Sequence, residues 1–306
     1  MAEQKPLTWI ITGASAGLGL ALSTEVLSHG GRVIAAMRTP SKAPSSLLNN
    51  PNVVTIPFDA HYTPSQTSAF MEKAVAAFGQ VDVLVNNAGY AYLGLLEEIS
   101  DEETKRQFEV NVFGMLRLIR AALPYLRTAS QSHRANLTTP PTTILNLSSM
   151  AGFWAVPPGG IYSASKFAIE GFSQSLAIEV ADFDIRVAVV NPGMVRTGFL
   201  ASHASGTNMP PAFIKAYDST SMRQVVERIK ESNWKQAGDP EKAAARMYEF
   251  VMGTGMWKEK LREKKGELGK LLIGSDCGEA LKNQIEWLKR VVEGHEDVWR
   301  STDIVE

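Results

Sequence analysis

The chain has 306 residues, enough to bury a large core, with 44% hydrophobic and 21% charged residues. Lys plus Arg (31) and Asp plus Glu (32) nearly cancel to a net charge of −1, so no basic surplus suggests nucleic acid and no block of one sign reads as a tail. A lone cysteine, Cys277, excludes an intramolecular disulfide and a cysteine metal cluster, and no apolar run reaches the length of a membrane span.

In chain order, short apolar runs alternate with longer amphipathic segments. The runs Leu7–Thr12, Arg32–Met37, Val53–Pro57, Val81–Asn86, Thr143–Leu147 and Ile185–Asn191 are predicted strands. Helices are predicted near 17–29, 64–78, 101–127 and 160–181. Such alternation implies an α/β fold, a parallel sheet covered by helices on both faces. Gly30-Gly31 marks a helix end, and Ser100-Asp101-Glu102-Glu103 a cap with an acidic first turn. Residues 128–141, polar and ending in Pro140-Pro141, are expected to form a surface loop. Residues 198–238 are expected to be irregular and to lie over the carboxyl ends of the strands. Residues 240–268 are predicted helical, with Lys258 to Lys265 as a solvated face. The last segment spaces Leu281, Ile285, Leu288 and Val292 as a helix that packs on the body. The apolar stretch Leu7 to Leu22 is interrupted by glycines and lacks a basic leader, so the protein is read as soluble and cytoplasmic. Asn136-Leu137-Thr138 then matches a glycosylation acceptor only by accident.

The segment Thr12-Gly13-Ala14-Ser15-Ala16-Gly17-Leu18-Gly19 follows the first strand and opens the first helix. Glycines allow a sharp turn and close approach to a pyrophosphate, while the helix start offers free N–H groups. An acidic residue at the end of the second strand would bind a ribose 2′-hydroxyl. Met37-Arg38 stands there instead, and an arginine can hold a 2′-phosphate through two hydrogen bonds, which favours NADP(H) over NAD(H). The plainer reading of Arg38 is a surface arginine.

Tyr162 and Lys166 are four residues apart at the start of a helix and so share a face. An ammonium beside a phenol lowers its pKa from about 10 and suits it to proton transfer. Ser149, thirteen residues earlier at the end of the fifth strand, can donate to a substrate oxygen. Ser148 competes for this role, and the spacing favours Ser149.

These pieces, with Asn86-Asn87-Ala88-Gly89, Asn111 and Pro192-Gly193, resemble the classical short-chain dehydrogenase/reductase family over about residues 7–197. The resemblance implies a single-domain Rossmann-type doubly wound fold with a seven-stranded parallel sheet. It divides the chain into a core (1–193), a substrate lid (194–238) and a C-terminal helical extension (239–306). It also implies Tyr162 as the acid or base, Ser149 on the substrate oxygen, and Lys166 additionally on the nicotinamide ribose. By the same resemblance Asn111 helps hold a relay water. Gly13, Ser15, Gly17, Leu18 and Gly19 would cradle the cofactor, with Arg38, Asp59, Asn87, Val195 and Thr197 around it and no metal. Ala16 departs from the basic residue that many NADP(H)-dependent relatives carry before the second glycine. The Val33-to-Arg38 pattern and the long C-terminus resemble the hydroxysteroid and retinol dehydrogenase-like branch.

The expected activity is reduction of a carbonyl, or the reverse oxidation, on an apolar substrate such as a steroid, polyketide or terpenoid. Phe199, Phe213, Tyr217, Trp234, Phe153 and Trp154 either line its pocket or pack the lid on the body. Competing readings are a non-catalytic NADP(H) sensor, an NAD-dependent alcohol dehydrogenase, and a sugar-nucleotide epimerase or dehydratase. Relatives pair through helices corresponding to 101–127 and 160–181, so a homodimer or homotetramer is expected.

Overall fold

Strands of β-branched and aliphatic residues, apolar on both faces, can only be buried between two layers of helices. The computed structural model of the protein, which describes residues 6–134, 139–205, 208–260 and 264–304, has that arrangement. Seven parallel strands, β1 (Thr8–Thr12), β2 (Arg32–Met37), β3 (Val53–Pro57), β4 (Val83–Asn86), β5 (Thr143–Leu147), β6 (Arg186–Pro192) and β7 (Gly269–Ile273), lie in the order β3-β2-β1-β4-β5-β6-β7. The order reverses direction beside β1, and every carboxyl end lies along one edge, where such sheets open a crevice. β1 runs between β2 and β4 with Trp9 opposite both Val33 and Val83.

Alternate residues go to opposite faces. Trp9, Ile11, Val33, Val85, Leu145 and Val190 face one core with helices α1 (Gly17–Ser28) and α9 (Pro240–Met252). Ile10, Ile34, Leu84, Ile144 and Val189 face the other, against α3 (Pro64–Phe78), α5 (Gly114–Arg134) and α6 (Gly160–Glu179). Each such side chain contributes about 1.5–3 kcal/mol by leaving water. Between them come α2 (Ser45–Leu48), α4 (Asp101–Phe108), α7 (Ala201–Ala204) and α8 (Ser221–Glu231), and the chain ends in α10 (Ser275–Gly294) and α11 (Glu296–Arg300). Local chemistry sets the helix starts. The Thr63 hydroxyl accepts from Gln66 N at 3.3 Å while Gln66 Oε1 accepts from Thr63 N at 2.9 Å. Ser100, as expected, caps α4 by accepting from Glu103 N at 3.2 Å.

Four expectations need correction. The loop expected from residue 128 is helix as far as Arg134, because tertiary anchors hold it. The Ser130 hydroxyl donates to Phe183 O at 2.6 Å, and the His133 ring reaches Asp82 Oδ1 at 2.9 Å and Pro140 O at 2.9 Å. The tripeptide Asn136-Leu137-Thr138 lies outside the described residues. Second, the helix predicted over 240–268 stops at Met252, where Gly253 takes a left-handed φ of 64°, and the extension contributes β7 to the sheet. Third, the segment 198–238, expected to be irregular, holds α7 and α8. Fourth, the C-terminal helix leaves most of its apolar stripe exposed, with only Leu281 half-buried. Ile285, Leu288 and Val292 are 53%, 44% and 56% exposed, and Cys277 is the only buried residue of α10, its Sγ donating to Asn191 O at 3.0 Å. Amphipathic spacing states that a face is apolar, not what covers it.

This difference is measurable by urea unfolding. Leu271→Ala, at a fully buried site on β7, should cost about 2–5 kcal/mol, whereas Ile285→Ser should stay within about 0.5 kcal/mol. An equal loss at Ile285 would mean that its helix face is covered.

Candidate active site

The crevice at the carboxyl ends begins at the glycine turn. Gly13 and Gly17 take φ of 67° and 55°, values that L side chains rarely adopt. Gly19 is a packing glycine that does not line the crevice: a Cβ there would lie 2.5 Å from both Gly13 O and Asn87 Nδ2. Ala16 occupies the cap of α1 and has no side chain to accept from the first-turn amides, which leaves them to a ligand anion. The turn is clamped to the end of β4. Thr12 Oγ1 accepts from Asn87 N at 3.0 Å and Ala88 N at 2.9 Å, and Asn87 Nδ2 donates to Thr12 O at 2.7 Å.

A cavity of about 900 Å³ runs along this edge. It starts at Gly13, Ser15, Gly17 and Leu18, passes Arg38, Asp59 and Asn87, and reaches Ser149, Tyr162, Lys166, Val195 and Thr197. The fold therefore gathers into one cleft most of the residues singled out from sequence. Asp59 is partly buried, which raises its pKa. Hydrogen bonds from the His61 amide and ring, with the charge of Arg38, outweigh that and hold it below the ordinary carboxylate value.

At the far end, Ser149 caps a 3₁₀ turn (Met150–Gly152), its Oγ accepting from Ala151 N at 3.1 Å. Lys166 is buried, and its Nζ donates to Leu147 O at 2.8 Å and lies 5.6 Å from the centre of the Tyr162 ring. Ser148 is turned inward, its hydroxyl donating to Lys166 O at 3.4 Å, which leaves Ser149 as the serine beside the phenol. The pKa of Tyr162 departs from expectation. Burial pushes the phenol up to about 12, opposed by the Ser149 hydroxyl. Burial also brings Lys166 down to about 8, opposed by Glu170. Spacing along a helix places two groups on one face but says nothing of the desolvation they meet there.

Asn111 sits in a π turn (Glu109–Phe113) between α4 and α5. Its Nδ2 donates to Tyr90 O at 2.9 Å and Ser165 Oγ at 3.1 Å, and its Oδ1 accepts from Tyr90 N at 3.1 Å. The side-chain amide thus ties the loop after β4 to α6, and Asn111 does not line the cavity.

Of the six aromatics considered for the substrate pocket, only Phe199 lines the cavity, its ring centre 6.1 Å from that of Tyr162. Phe213 lies 4.1 Å under the Arg223 guanidinium, Tyr217 donates to Glu97 Oε2 at 2.9 Å, and Trp234 is exposed. Phe153 packs beneath Lys270 at 5.5 Å, and Trp154 lies outside the lining. Sequence reasoning missed the apolar walls Leu93, Val156, Leu200, Val225 and Ile229; scattered aliphatic residues carry no local signal. It also missed the contact that seats the segment 208–238. Glu98, whose side chain is wholly buried, accepts from Arg223 Nη2 at 2.6 Å, Ile214 N at 3.0 Å and Leu95 N at 3.2 Å. Among the described residues no group of histidine, cysteine or carboxylate side chains could hold a metal ion, and no helix is long and apolar enough to cross a membrane.

The sequence profile of the short chain dehydrogenase family matches residues 8–208. The chain belongs to that family. The uncharacterized oxidoreductase YusZ of Bacillus subtilis is 34% identical over 247 residues, 79% of this chain and 83% of that one. Human retinol dehydrogenase 8 is 35% identical over 205 residues, 63% of this chain and 60% of that protein. Among solved structures, a short-chain dehydrogenase from Streptomyces avermitilis superposes with a TM-score of 0.79 at 29% identity, covering 98% of this chain and 100% of its own. A Burkholderia phymatum homologue in complex with NAD (TM-score 0.70, 22% identity, 100% of both chains) shares the fold. So does ElxO with NADP bound (TM-score 0.64, 23% identity, 87% of this chain and 97% of its own). With its retinol dehydrogenase-like relatives, the chain is an oxidoreductase of alcohol and carbonyl groups.

Gly19→Ala tests the turn. Overpacking against Gly13 O and Asn87 should destabilise the protein by about 1–3 kcal/mol, read as a lower midpoint in thermal unfolding; an unchanged midpoint would show that the turn can shift.

Proposed function

We propose that the protein is an NADP(H)-dependent reductase of apolar ketones or aldehydes, able to run in reverse on the alcohols. One observation carries the reading: Ser149, Tyr162 and Lys166 line the same cleft as the glycine turn and Arg38. The cleft suits a nicotinamide dinucleotide, with left-handed glycines, a helix start without a side-chain cap, and room for a long ligand. NAD- and NADP-bound neighbours of the same fold are consistent with it. Arg38, with no acidic residue beside it at the end of β2, supports a 2′-phosphate and so NADP(H); Ala16 offers no second cation.

When bound, the nicotinamide supplies or accepts the hydride. The chain's own residues do the rest. The Ser149 hydroxyl holds the substrate oxygen where charge develops, and Tyr162 delivers its proton to that oxygen. Lys166, as an ammonium, makes the phenol easier to deprotonate in the reacting complex and holds the ribose. Asn111 keeps the loop 88–91 in place, so any water held there for proton relay must rest on its backbone. Phe199, Leu93, Val156 and Ile229 exclude water and favour a bulky apolar substrate, such as a steroid, polyketide or terpenoid. The likeness to retinol dehydrogenase 8 points the same way. Residues 194–238 act as the lid over this end. Exposed Phe113, Phe167 and Ile178 on the segments 101–127 and 160–181 support pairing of the chain with copies of itself.

Tyr162→Phe should lower turnover of NADPH with a ketone by at least about 10²-fold and leave NADPH binding within a few-fold; retained turnover would sink the mechanism. In nucleotide-fluorescence titrations NADPH should bind about tenfold tighter than NADH, a difference of about 1.4 kcal/mol. Arg38→Ala should erase that preference. The pH dependence has a defined sign. The phenol keeps its proton until about pH 12, while Lys166 loses its proton as pH rises through about 8, so ketone reduction should be full below pH 8 and fall above it. A rate that instead rose through pH 8 would contradict the charged-lysine role.

A further inference from the structure

Glu170 lies one helical turn beyond Lys166 on α6, and the chemistry above assigns it no task. Its surroundings are not those of a solvated helix face. The side chain is 14% exposed, and its Oε2 accepts from Lys270 Nζ on β7 at 2.7 Å. Its Oε1 accepts from Asn191 Nδ2 at 2.5 Å, and the same Nδ2 donates to Ser149 O at 2.9 Å. Asn191 is fully buried on β6, so one amide joins the carboxylate to the backbone of the reactive serine. The serine turn rests directly on this group. A Cβ at Gly152 would lie 3.1 Å from Glu170 Cγ and Oε1 and collide with Ser148 Oγ.

We propose that Glu170 is a positioning residue of the active site: its carboxylate, partly neutralised by Lys270, fixes the Ser149 turn through Asn191 and sustains the ammonium of Lys166. The catalytic meaning rests on the Ser149–Tyr162–Lys166 reading. Burial in a cleft of low polarity works against a charged lysine, and a carboxylate one turn away works for it. The other groups around the pair are few. Tyr162 is on the same helix, and the end of β5 offers the Leu147 carbonyl and Ser148. Lys270 faces Glu170 from β7. From α10 come Asp276, engaged by Met194 N at 2.7 Å, and Cys277, a thiol that burial pushes up to about 11.

A plain ion-pair staple between α6 and β7 would also hold Glu170 in place, so the test must read charge rather than stability. Glu170→Gln keeps an oxygen for Asn191 and removes the charge; Lys270→Met keeps the carboxylate and removes its counter-ion. The readout is the pH titration of the Lys166 Cε resonance in ¹³C-lysine-labelled full-length protein, assigned by its loss in Lys166→Arg. The midpoint should move down by about 0.5–1 pH unit in Glu170→Gln and up in Lys270→Met. The fall of NADPH-dependent reduction of trans-1-decalone with rising pH should shift in the same two directions. An unmoved midpoint in both variants, or movement in the same direction, overturns the proposal. Should Glu170→Gln not fold, Lys270→Met decides alone: a rise supports the proposal and no change refutes it. Tyr162→Phe, assayed in parallel, separates the two levels. If it stays active the Ser–Tyr–Lys reading fails whatever Lys166 does; if it is dead while the Lys166 midpoint ignores both variants, only the role of Glu170 fails.

Discussion

The end of β1 is tied to the end of β4 by two side chains, Thr12 and Asn87, and the geometry of the cleft follows from that clamp. Thr12 Oγ1 accepts two backbone amides from the β4 loop while donating to Val85 O at 3.3 Å. Asn87 Nδ2 returns the contact to Thr12 O and, at 3.3 Å, to Gly13 O. In a parallel sheet nothing else joins neighbouring strands beyond their last ladder bond, and both loops would be free to splay. Clamped together, they set the floor between the glycine turn and the loop 88–91. Gly13 and Gly19 are then required because the Asn87 amide occupies the space a Cβ would need.

A second polar chain does the same for α6, the helix that carries Tyr162 and Lys166. Asn86 Nδ2 donates to Asn146 Oδ1 at 2.8 Å, and Asn146 Nδ2 to Ser173 Oγ at 2.8 Å, within a fully buried layer. Aliphatic packing alone would tolerate a small slide of α6 along the sheet, whereas buried polar groups lose much more if left unpaired. The ladder therefore fixes α6 in register with β4 and β5. It explains how Tyr162 and Lys166, on a helix, keep their place relative to Ser149, on a strand end.

Much of this was legible in the sequence where local pattern and burial agree. Arg32–Met37, Val53–Pro57 and Thr143–Leu147 are strands of the expected extent because each is apolar on both faces and bounded by turn residues. β7 escaped because Gly-Lys-Leu-Leu-Ile follows a lysine-rich stretch and Lys270 shortens its apolar run to three residues. Arg38, Asp59, Asn87, Ser149, Tyr162 and Lys166 could be nominated from motif spacing, and they share a cleft. The ionisation of Tyr162 could not be, since it depends on burial by elements far away in the chain. Glu170 was invisible for a related reason: one turn from Lys166 it reads as an ordinary charged helix residue. Only the fold brings Asn191 and Lys270, 21 and 100 residues on, to meet it.

The seating of Cys277 bears on which compounds the enzyme can handle. The chain's single thiol is buried beneath β6, donates to Asn191 O and stays protonated well above neutral pH. Enones and quinones are carbonyl compounds that a thiolate captures by conjugate addition. Buried and protonated, that sulfur presents no thiolate to such electrophiles at the surface or in the cleft. The fold can admit reactive carbonyls without being alkylated at cysteine by its own substrates.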